Sequence, residues 1–119
     1  YSESRDLLND RPLRHTPPLF GKFTITYSKK KYQIGYFISY NGKKQLKNFS
    51  VSELNKLYLY TDSGSPSWIT HNFFYKFNYN YFINFDFGID NIFDIHYRTY
   101  SSGISAPGRN IRLGLNLKF

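Results

Sequence analysis

From Arg109 to Phe119 every second residue is apolar: Ile111, Leu113, Leu115, Leu117 and Phe119 alternate with Asn110, Arg112, Gly114, Asn116 and Lys118. In a chain that is 40% apolar, an alternation this long arises by chance in roughly one window in a thousand, so the period of two reflects structure. Successive side chains of a strand point to opposite faces, and the segment reads as a β-strand with one apolar side. Tyr32 to Asn41 repeats the pattern. Tyr32, Ile34, Tyr36, Ile38 and Tyr40 share one face; Gln33, Gly35, Phe37, Ser39 and Asn41 share the other, with Phe37 the exception to its polarity. Ile69 to Asn80 sets Ile69, Phe73, Tyr75, Phe77 and Tyr79, with His71 as the odd member, against Thr70, Asn72, Phe74, Lys76 and Asn78. Tyr81 to Asp90 sets Tyr81, Ile83, Phe85, Phe87 and Ile89 against Asn84, Asp86, Gly88 and Asp90, and a weaker strand over Phe20 to Ser28 carries Phe23, Ile25 and Tyr27 opposite Lys22, Thr24 and Thr26.

About five strands follow, near 20–28, 32–41, 69–80, 81–90 and 109–119, each close to the ~9–11 residues that a tilted membrane-spanning strand needs. Their connections alternate in length. Lys29 to Lys31 and the corner at Asn80 and Tyr81 are hairpin-sized, whereas Gly42 to Ser67 and Asn91 to Gly108 are far longer than the usual ~2–5 residues. Tight turns therefore fall at one end of the sheet and long loops at the other, the asymmetry of outer-membrane barrels with short periplasmic turns and long extracellular loops.

Composition narrows the field. Aromatic residues make up 21% of the 119, with 12 Tyr and 12 Phe, too many large apolar groups for a disordered chain. No apolar run approaches the ~18 residues of a membrane helix. There is no Cys, hence no disulfide, thiolate metal site or Cys nucleophile, and no Met, so Tyr1 is not a translation start. The chain is expected to be processed or a piece of something longer, with any export signal upstream, since Glu3, Arg5 and Asp6 interrupt the N-terminal stretch. Net charge is 16 − 8 = +8, which suits phosphate-bearing partners, nucleic acid and lipopolysaccharide alike.

Two regularities favour a membrane wall. The apolar-face residues nearest the tight turns are Tyr27, Tyr32, Tyr79, Tyr81 and Phe119. Aromatic rings at one level form the interfacial girdle that a soluble sandwich has no reason to keep. The opposite face is mostly Thr, Ser, Asn, Gln and Gly, as a crowded, hydrated lumen tolerates. Within the first long loop, Ser50 and Glu53 stand at capping-box spacing before Leu54 and Leu57, which predicts a helix of about two turns, with coincidental spacing as the alternative. The smallest single-chain bacterial barrels have ~8 strands, and lipid leaves an open sheet edge unsatisfied. A membrane wall of about five strands is accordingly expected to be the C-terminal part of a larger barrel.

Further residues carry a family resemblance. They are Gly64-Ser65-Pro66-Ser67-Trp68, Gly88-Ile89-Asp90-Asn91-Ile92-Phe93-Asp94, His96-Tyr97-Arg98 and Ser102-Gly103-Ile104-Ser105-Ala106-Pro107-Gly108-Arg109-Asn110, with Pro17-Pro18-Leu19-Phe20-Gly21 earlier. Over Arg11 to Phe119 the chain resembles the C-terminal end of a TonB-dependent outer-membrane receptor. The strongest pieces are Asn91-Ile92-Phe93-Asp94, Tyr97-Arg98 and Pro107-Gly108-Arg109. Asn91, Phe93, Asp94, Tyr97, Arg98, Gly103, Pro107, Gly108 and Arg109 are thus the structural motif. Such receptors are barrels of roughly 22 strands around a plug. The resemblance implies import of a scarce nutrient (siderophore, cobalamin, metal complex, glycan or peptide) driven through TonB in the outer membrane of a Gram-negative bacterium. It implies as partners the rest of the barrel and plug, the TonB complex through the plug, the barrel-assembly machinery, and outer-membrane lipid and lipopolysaccharide. The last strand resembles the barrel-assembly signal, with Arg112, Gly114, Leu117 and Phe119 in its positions; a girdle role for Phe119 is compatible with it. This segment would supply wall and loops, lacking the plug and the TonB-contacting segment.

Other chemistry fits less well. His15, His71 and His96 are dispersed, and interfacial roles suit them better than catalysis. Gly103-Ile104-Ser105-Ala106-Pro107 lacks the second Gly of a nucleophile elbow. Asp86, Asp90 and Asp94 lack the spacing of a Ca²⁺ loop. No enzyme activity, metal or cofactor is expected. A basic, aromatic sheet also suits single-stranded nucleic acid, but the aromatic faces here are nearly free of Lys and Arg. The charge sits at Arg11 and Arg14, Lys29 to Lys31, and Lys43, Lys44 and Lys47, where loop-side members face lipopolysaccharide phosphates or plain solvent. A small soluble basic β-domain binding single-stranded nucleic acid or an apolar ligand is the alternative reading. At the loop-side rim, Trp68, Tyr97 and Arg98 are the candidates for ligand contact. A turn at Pro107-Gly108 is expected to bring Arg109 back to Asn91–Asp94, with Asp94 pairing Arg98 or Arg109.

Overall fold

A computed structural model of the chain describes residues 5–6, 11–13 and 16–119; Arg14 and His15 lie outside them. Strands β1 (Arg5–Asp6) and β2 (Arg11–Pro12) form a small antiparallel ribbon. The main sheet holds β3 (Phe20–Ser28), β4 (Tyr32–Asn41), β5 (Trp68–Asn78), β6 (Ile83–Asp90) and β7 (Asn110–Leu117). Its spatial order, β3-β4-β5-β6-β7, is the sequence order. The fold is all-β, with five up-and-down antiparallel strands in one sheet, as the alternation and the loop lengths imply.

Boundaries differ from expectation where turns compete with the ladder. The strand expected over 69–80 ends at Asn78, and the one expected over 81–90 begins at Ile83. The cause is Asn80, whose side-chain Oδ1 accepts the backbone N–H groups of both Phe82 and Ile83 at 2.9 Å. That Asx-type closure makes the connection Tyr79 to Phe82 instead of a two-residue corner. At the other tight turn, Lys29 and Tyr32 exchange backbone hydrogen bonds of 2.8 and 3.2 Å around Lys30 and Lys31. The last strand is shorter than 109–119 because the Arg109 N–H is taken by the Asp94 side chain at 2.7 Å.

Register makes the apolar side continuous. Across β5 and β6, Phe73 faces Ile89, Tyr75 faces Phe87 and Phe77 faces Phe85. Across β6 and β7, Ile83, Phe85, Phe87 and Ile89 face Leu117, Leu115, Leu113 and Ile111. A slip of one residue would put each of these side chains on the polar face. Tyr27 and Tyr32 rings, 6.2 Å apart, and Tyr32 and Tyr75, 6.5 Å apart, extend the aromatic row over β3 and β4.

Among the described residues this face is left open. Leu113 is 82% exposed and Phe23 60%, and among the described residues the one buried hydrophobic side chain is Phe49, which lies in a loop. The other side of the sheet is tighter: Thr70 and Asn72 are buried there. Phe74, an aromatic on the polar face, lies over Gly35, where an added Cβ would come within 2.1 Å of its ring. Phe37 is similarly accounted for, with the Lys22 ammonium 3.8 Å from its ring centre.

Contacts divide the chain into two units. A loop unit gathers Tyr1–Gly21, Tyr40–Trp68 and Tyr97–Ala106, and a sheet unit gathers Lys22–Ser39, Ile69–His96 and Pro107–Phe119. Within the loop unit a single turn of helix, α1 (Val51–Leu54), starts on the capping box at Ser50 and Glu53. It is shorter than the two turns the spacing implies. Asn55 is still helical in backbone, but Lys56 leaves the helical path at φ −125°, ψ 36°, and a 3₁₀ turn at Leu57–Leu59 follows.

Candidate functional site

The loop unit is built on a buried charge pair. The Ser50 N–H donates to Glu53 Oε2 at 2.9 Å, which fixes the carboxylate at the start of α1. Its other oxygen, Oε1, accepts the Tyr100 hydroxyl proton. Lys44 Nζ donates to the Thr16 carbonyl and to the Tyr100 hydroxyl, both at 2.6 Å, and lies 3.6 Å from Glu53 Oε2. Lys44 is 6% exposed and Glu53 4%, so the expectation that Lys44 belongs to a solvent- or lipopolysaccharide-facing cluster is corrected: aromatic packing removes it from solvent. Phe49 and Tyr60 meet edge to face at 4.7 Å beside it.

Burial pushes the Lys44 ammonium below the usual lysine range, and the Glu53 charge opposes that shift. Burial, then the hydrogen bond to Glu53 and the carboxylate charge, drive the Tyr100 phenol well above the usual tyrosine range. The pH consequence has a definite sign. Above about pH 10 the unfolded Tyr100 loses its proton while the folded one keeps it, so the stability that Tyr100 contributes is full below that pH and is lost above it. In a tyrosinate absorbance titration, Tyr100→Phe is expected to remove the latest step and leave the one near pH 10 unchanged. A variant losing amplitude near pH 10 instead would contradict that placement.

Three rim residues come together in the same unit. The Trp68 indole N–H donates to the Arg98 carbonyl at 3.0 Å, and its ring lies 4.3 Å from that of Tyr97. Arg98 Nη1 donates to the Leu59 carbonyl at 2.9 Å. A Cβ added at Gly103 would meet Leu59 at ordinary contact distance, 3.8 Å.

In the sheet unit, Asn91-Ile92-Phe93-Asp94 is a turn with two left-handed residues, Asn91 at φ 51° and Asp94 at φ 56°. Asn and Asp tolerate that region better than other residues bearing a Cβ. The Asn91 side chain accepts the Ile95 N–H at 2.9 Å and donates to the Ile95 carbonyl at 2.8 Å and the Pro107 carbonyl at 3.4 Å. Its own N–H goes to Asn72 Oδ1 at 2.9 Å. Arg109 does return to this turn, but by its backbone N–H to Asp94 Oδ1 at 2.7 Å. The expected charge pairing is thus corrected: Asp94 binds backbone, and Arg98 binds Leu59. Gly108 fits because a Cβ there would lie 2.5 Å from the Asp94 oxygen. Phe93 packs edge to face on His71 at 5.0 Å, and the His71 ring is also hydrogen-bonded to the Tyr36 hydroxyl.

Replacement of Asn91 tests this turn. Asn91→Ala removes three side-chain hydrogen bonds, at ~1 kcal/mol each, and adds a left-handed penalty of ~1 kcal/mol, so a loss of about 4 kcal/mol is expected in denaturant titration. Asn91→Gly keeps the backbone free to adopt positive φ and is expected to cost less; equal costs would show that φ is not the constraint.

On the polar face, Arg112 forks onto Asp90 through Nε and Nη2 at 2.6 and 3.0 Å, and Asn116 donates to Asp86 at 2.6 Å. Gly88 and Gly114 give these side chains room, since a Cβ at Gly88 would lie 2.9 Å from Arg112 and one at Gly114 would lie 3.3 Å from Asp86. Period-two reading put Asp86, Asp90, Arg112 and Asn116 on one side; only the register specified which of them meet. Leu117 lies opposite Ile83 on the apolar face, and Phe119 is fully exposed beyond the strand. No group of three or more metal-ligating side chains occurs among the described residues.

No family model matches the chain, and no curated protein matches it. Among solved structures, that of the copper transporter OprC aligns with 100% of the chain at a TM-score of 0.78 and 19% sequence identity. The chain has the fold of a stretch of that transporter. It spans 20% of that structure's length. At this identity the likeness establishes a fold, and copper is said of OprC alone. It gives the five-strand ladder a solved counterpart in a transporter, while the roles of the rim and turn residues rest on the geometry above.

Proposed function

We propose that the chain is part of a TonB-dependent receptor in the outer membrane of a Gram-negative bacterium, supplying barrel wall and extracellular loops for import of a scarce nutrient. One observation carries the reading: an aromatic and aliphatic face, continuous in register and without protein cover, backs onto a face whose charged and amide groups pair with one another. Water disfavours so large an apolar patch, whereas acyl chains solvate it. The fold shared with a transporter and the receptor-like motifs at Asn91–Asp94 and Pro107–Arg109 support it.

On this reading the tight turns face the periplasm and Trp68, Tyr97 and Arg98 sit at the loop rim, where they hold loop geometry for ligand contact. The edges at β3 and β7 have unpaired backbone groups, which hydrocarbon does not satisfy, so the rest of the barrel completes the sheet and a plug within it engages TonB. Arg112, Gly114, Leu117 and Phe119 serve the barrel-assembly machinery. Siderophore, cobalamin, metal complex, glycan and peptide are the cargo classes in view. The reading is tested by placing the chain in detergent micelles and in plain buffer: strand circular dichroism is expected to need detergent, and a folded monomer in buffer alone would overturn it.

A further inference from the structure

The tight-turn end of the sheet unit is rich in lysine. Lys29, Lys30 and Lys31 occupy one turn and Lys118 follows β7, while no residue in 27–35, 77–85 or 115–119 is Asp or Glu. The lysines are placed from two separate parts of the chain. Lys31 is held by its carbonyl, which accepts the Asn78 N–H at 2.7 Å, and Lys118 by its N–H, which donates to the Phe82 carbonyl at 2.9 Å. Two of the ammonium groups sit beside aromatic rings: Lys29 lies 6.0 Å from the ring centre of Tyr27 on β3, and Lys118 5.4 Å from that of Tyr81 in the turn before β6. Each pair puts a cation at the border between an apolar surface and its polar rim. The rings are themselves open to the surroundings, Tyr81 at 76% and Tyr27 at 52%.

Between these lysines and the middle of the sheet lies a place for a hydrocarbon chain. Tyr75, Phe85, Phe87, Leu113 and Leu115, together with Asp86 and Gly114, line a groove of about 350 Å³. Leu115 and Lys118 are three residues apart, about 10 Å along an extended chain. A molecule with an acyl tail in the groove would therefore present its headgroup phosphate at the Lys118 ammonium.

We propose that the tight-turn end is a binding surface for a phospholipid with an anionic headgroup, its acyl chain along the groove and its phosphate among Lys29, Lys31 and Lys118. The proposal rests on the membrane reading and adds a headgroup preference to it. Charge complementarity chooses the lipid: a zwitterionic headgroup carries its own cation and gains less from clustered lysines. A lysine near an anionic surface contributes about a fivefold gain in binding, and the gain is screened beyond a Debye length.

The test uses the full chain in detergent micelles with equal amounts of phosphatidylglycerol and phosphatidylcholine, and counts retained lipid by native mass spectrometry. Retention is expected to favour phosphatidylglycerol by about tenfold at low ionic strength, to approach parity for Lys29→Gln/Lys31→Gln/Lys118→Gln, and to stay unchanged for the loop-side Lys43→Gln/Lys47→Gln. Strand circular dichroism of each variant establishes that it is folded. Parity in the unsubstituted chain, or equal loss in the loop-side variant, would overturn the headgroup preference and leave the membrane reading intact. Displacement of phosphatidylglycerol by inorganic phosphate at equal concentration would overturn the lipid as occupant. A folded monomer in plain buffer that retains neither lipid would overturn both.

Discussion

Leu113→Arg is expected to cost about 2–4 kcal/mol in a bilayer and next to nothing in water. Leu113 is at the middle of β7, opposite Phe87, and is 82% exposed. If its surroundings are aqueous, arginine there meets water, removes an exposed apolar group and stays within ~0.5 kcal/mol of the original. If they are acyl chains, the guanidinium is placed near the bilayer centre, where its long side chain has the furthest to reach to a headgroup. Asn84→Arg on the opposite face, across from Asn116, is the matched control and is expected to be tolerated because a hydrated lumen solvates the charge. The measurement is a denaturant titration in lipid vesicles, with heat-modifiable gel mobility as a second index of the folded form. Equal, small effects at both positions would remove lipid from the apolar face.

What sequence reading captured followed from two short-range rules. Period two sorted Phe85, Phe87, Leu113 and Leu115 onto one face, and loop lengths ordered five strands, because both are local properties of a chain whose strands pair with their sequence neighbours. Boundaries failed where a side chain competed with the ladder, at Asn80 and at Asp94, and no hydropathy pattern registers a side-chain hydrogen bond to backbone. The Asn91 and Asp94 positions were legible as a motif but not as a left-handed turn. Lys44 was misplaced for a different reason. It sits between Lys43 and Lys47 in a charge-rich stretch, and its burial depends on Tyr100, 56 residues away in another loop. A Ser50/Glu53 capping box was visible, and it anchored the carboxylate that lies beside that ammonium, but contact between two long loops lies beyond any local signal.

The Lys44–Glu53 pair yields the largest effect expected in the loops. Removing one member of a buried ion pair leaves the other desolvated without its partner, which costs about 3–5 kcal/mol, whereas replacing both with apolar groups of similar volume is often neutral. Glu53→Ala is therefore expected to release the loop, since it strands the Lys44 ammonium, frees the Tyr100 hydroxyl and deprives the Ser50 N–H of its acceptor. Lys44→Met alone is expected to be damaging too, because the buried carboxylate then loses the ammonium beside it. Lys44→Met/Glu53→Leu is expected to recover most of the loss, with the Ser50 N–H, the Tyr100 hydroxyl and the Thr16 carbonyl among the groups that still lack their partner. Amide hydrogen exchange over residues 42–67 and 97–106 reads the result directly: fast exchange in each single variant and slow exchange in the double. Additive losses would instead mean that Lys44 and Glu53 act independently, and that Tyr100, which contacts both, is the group holding the two loops together.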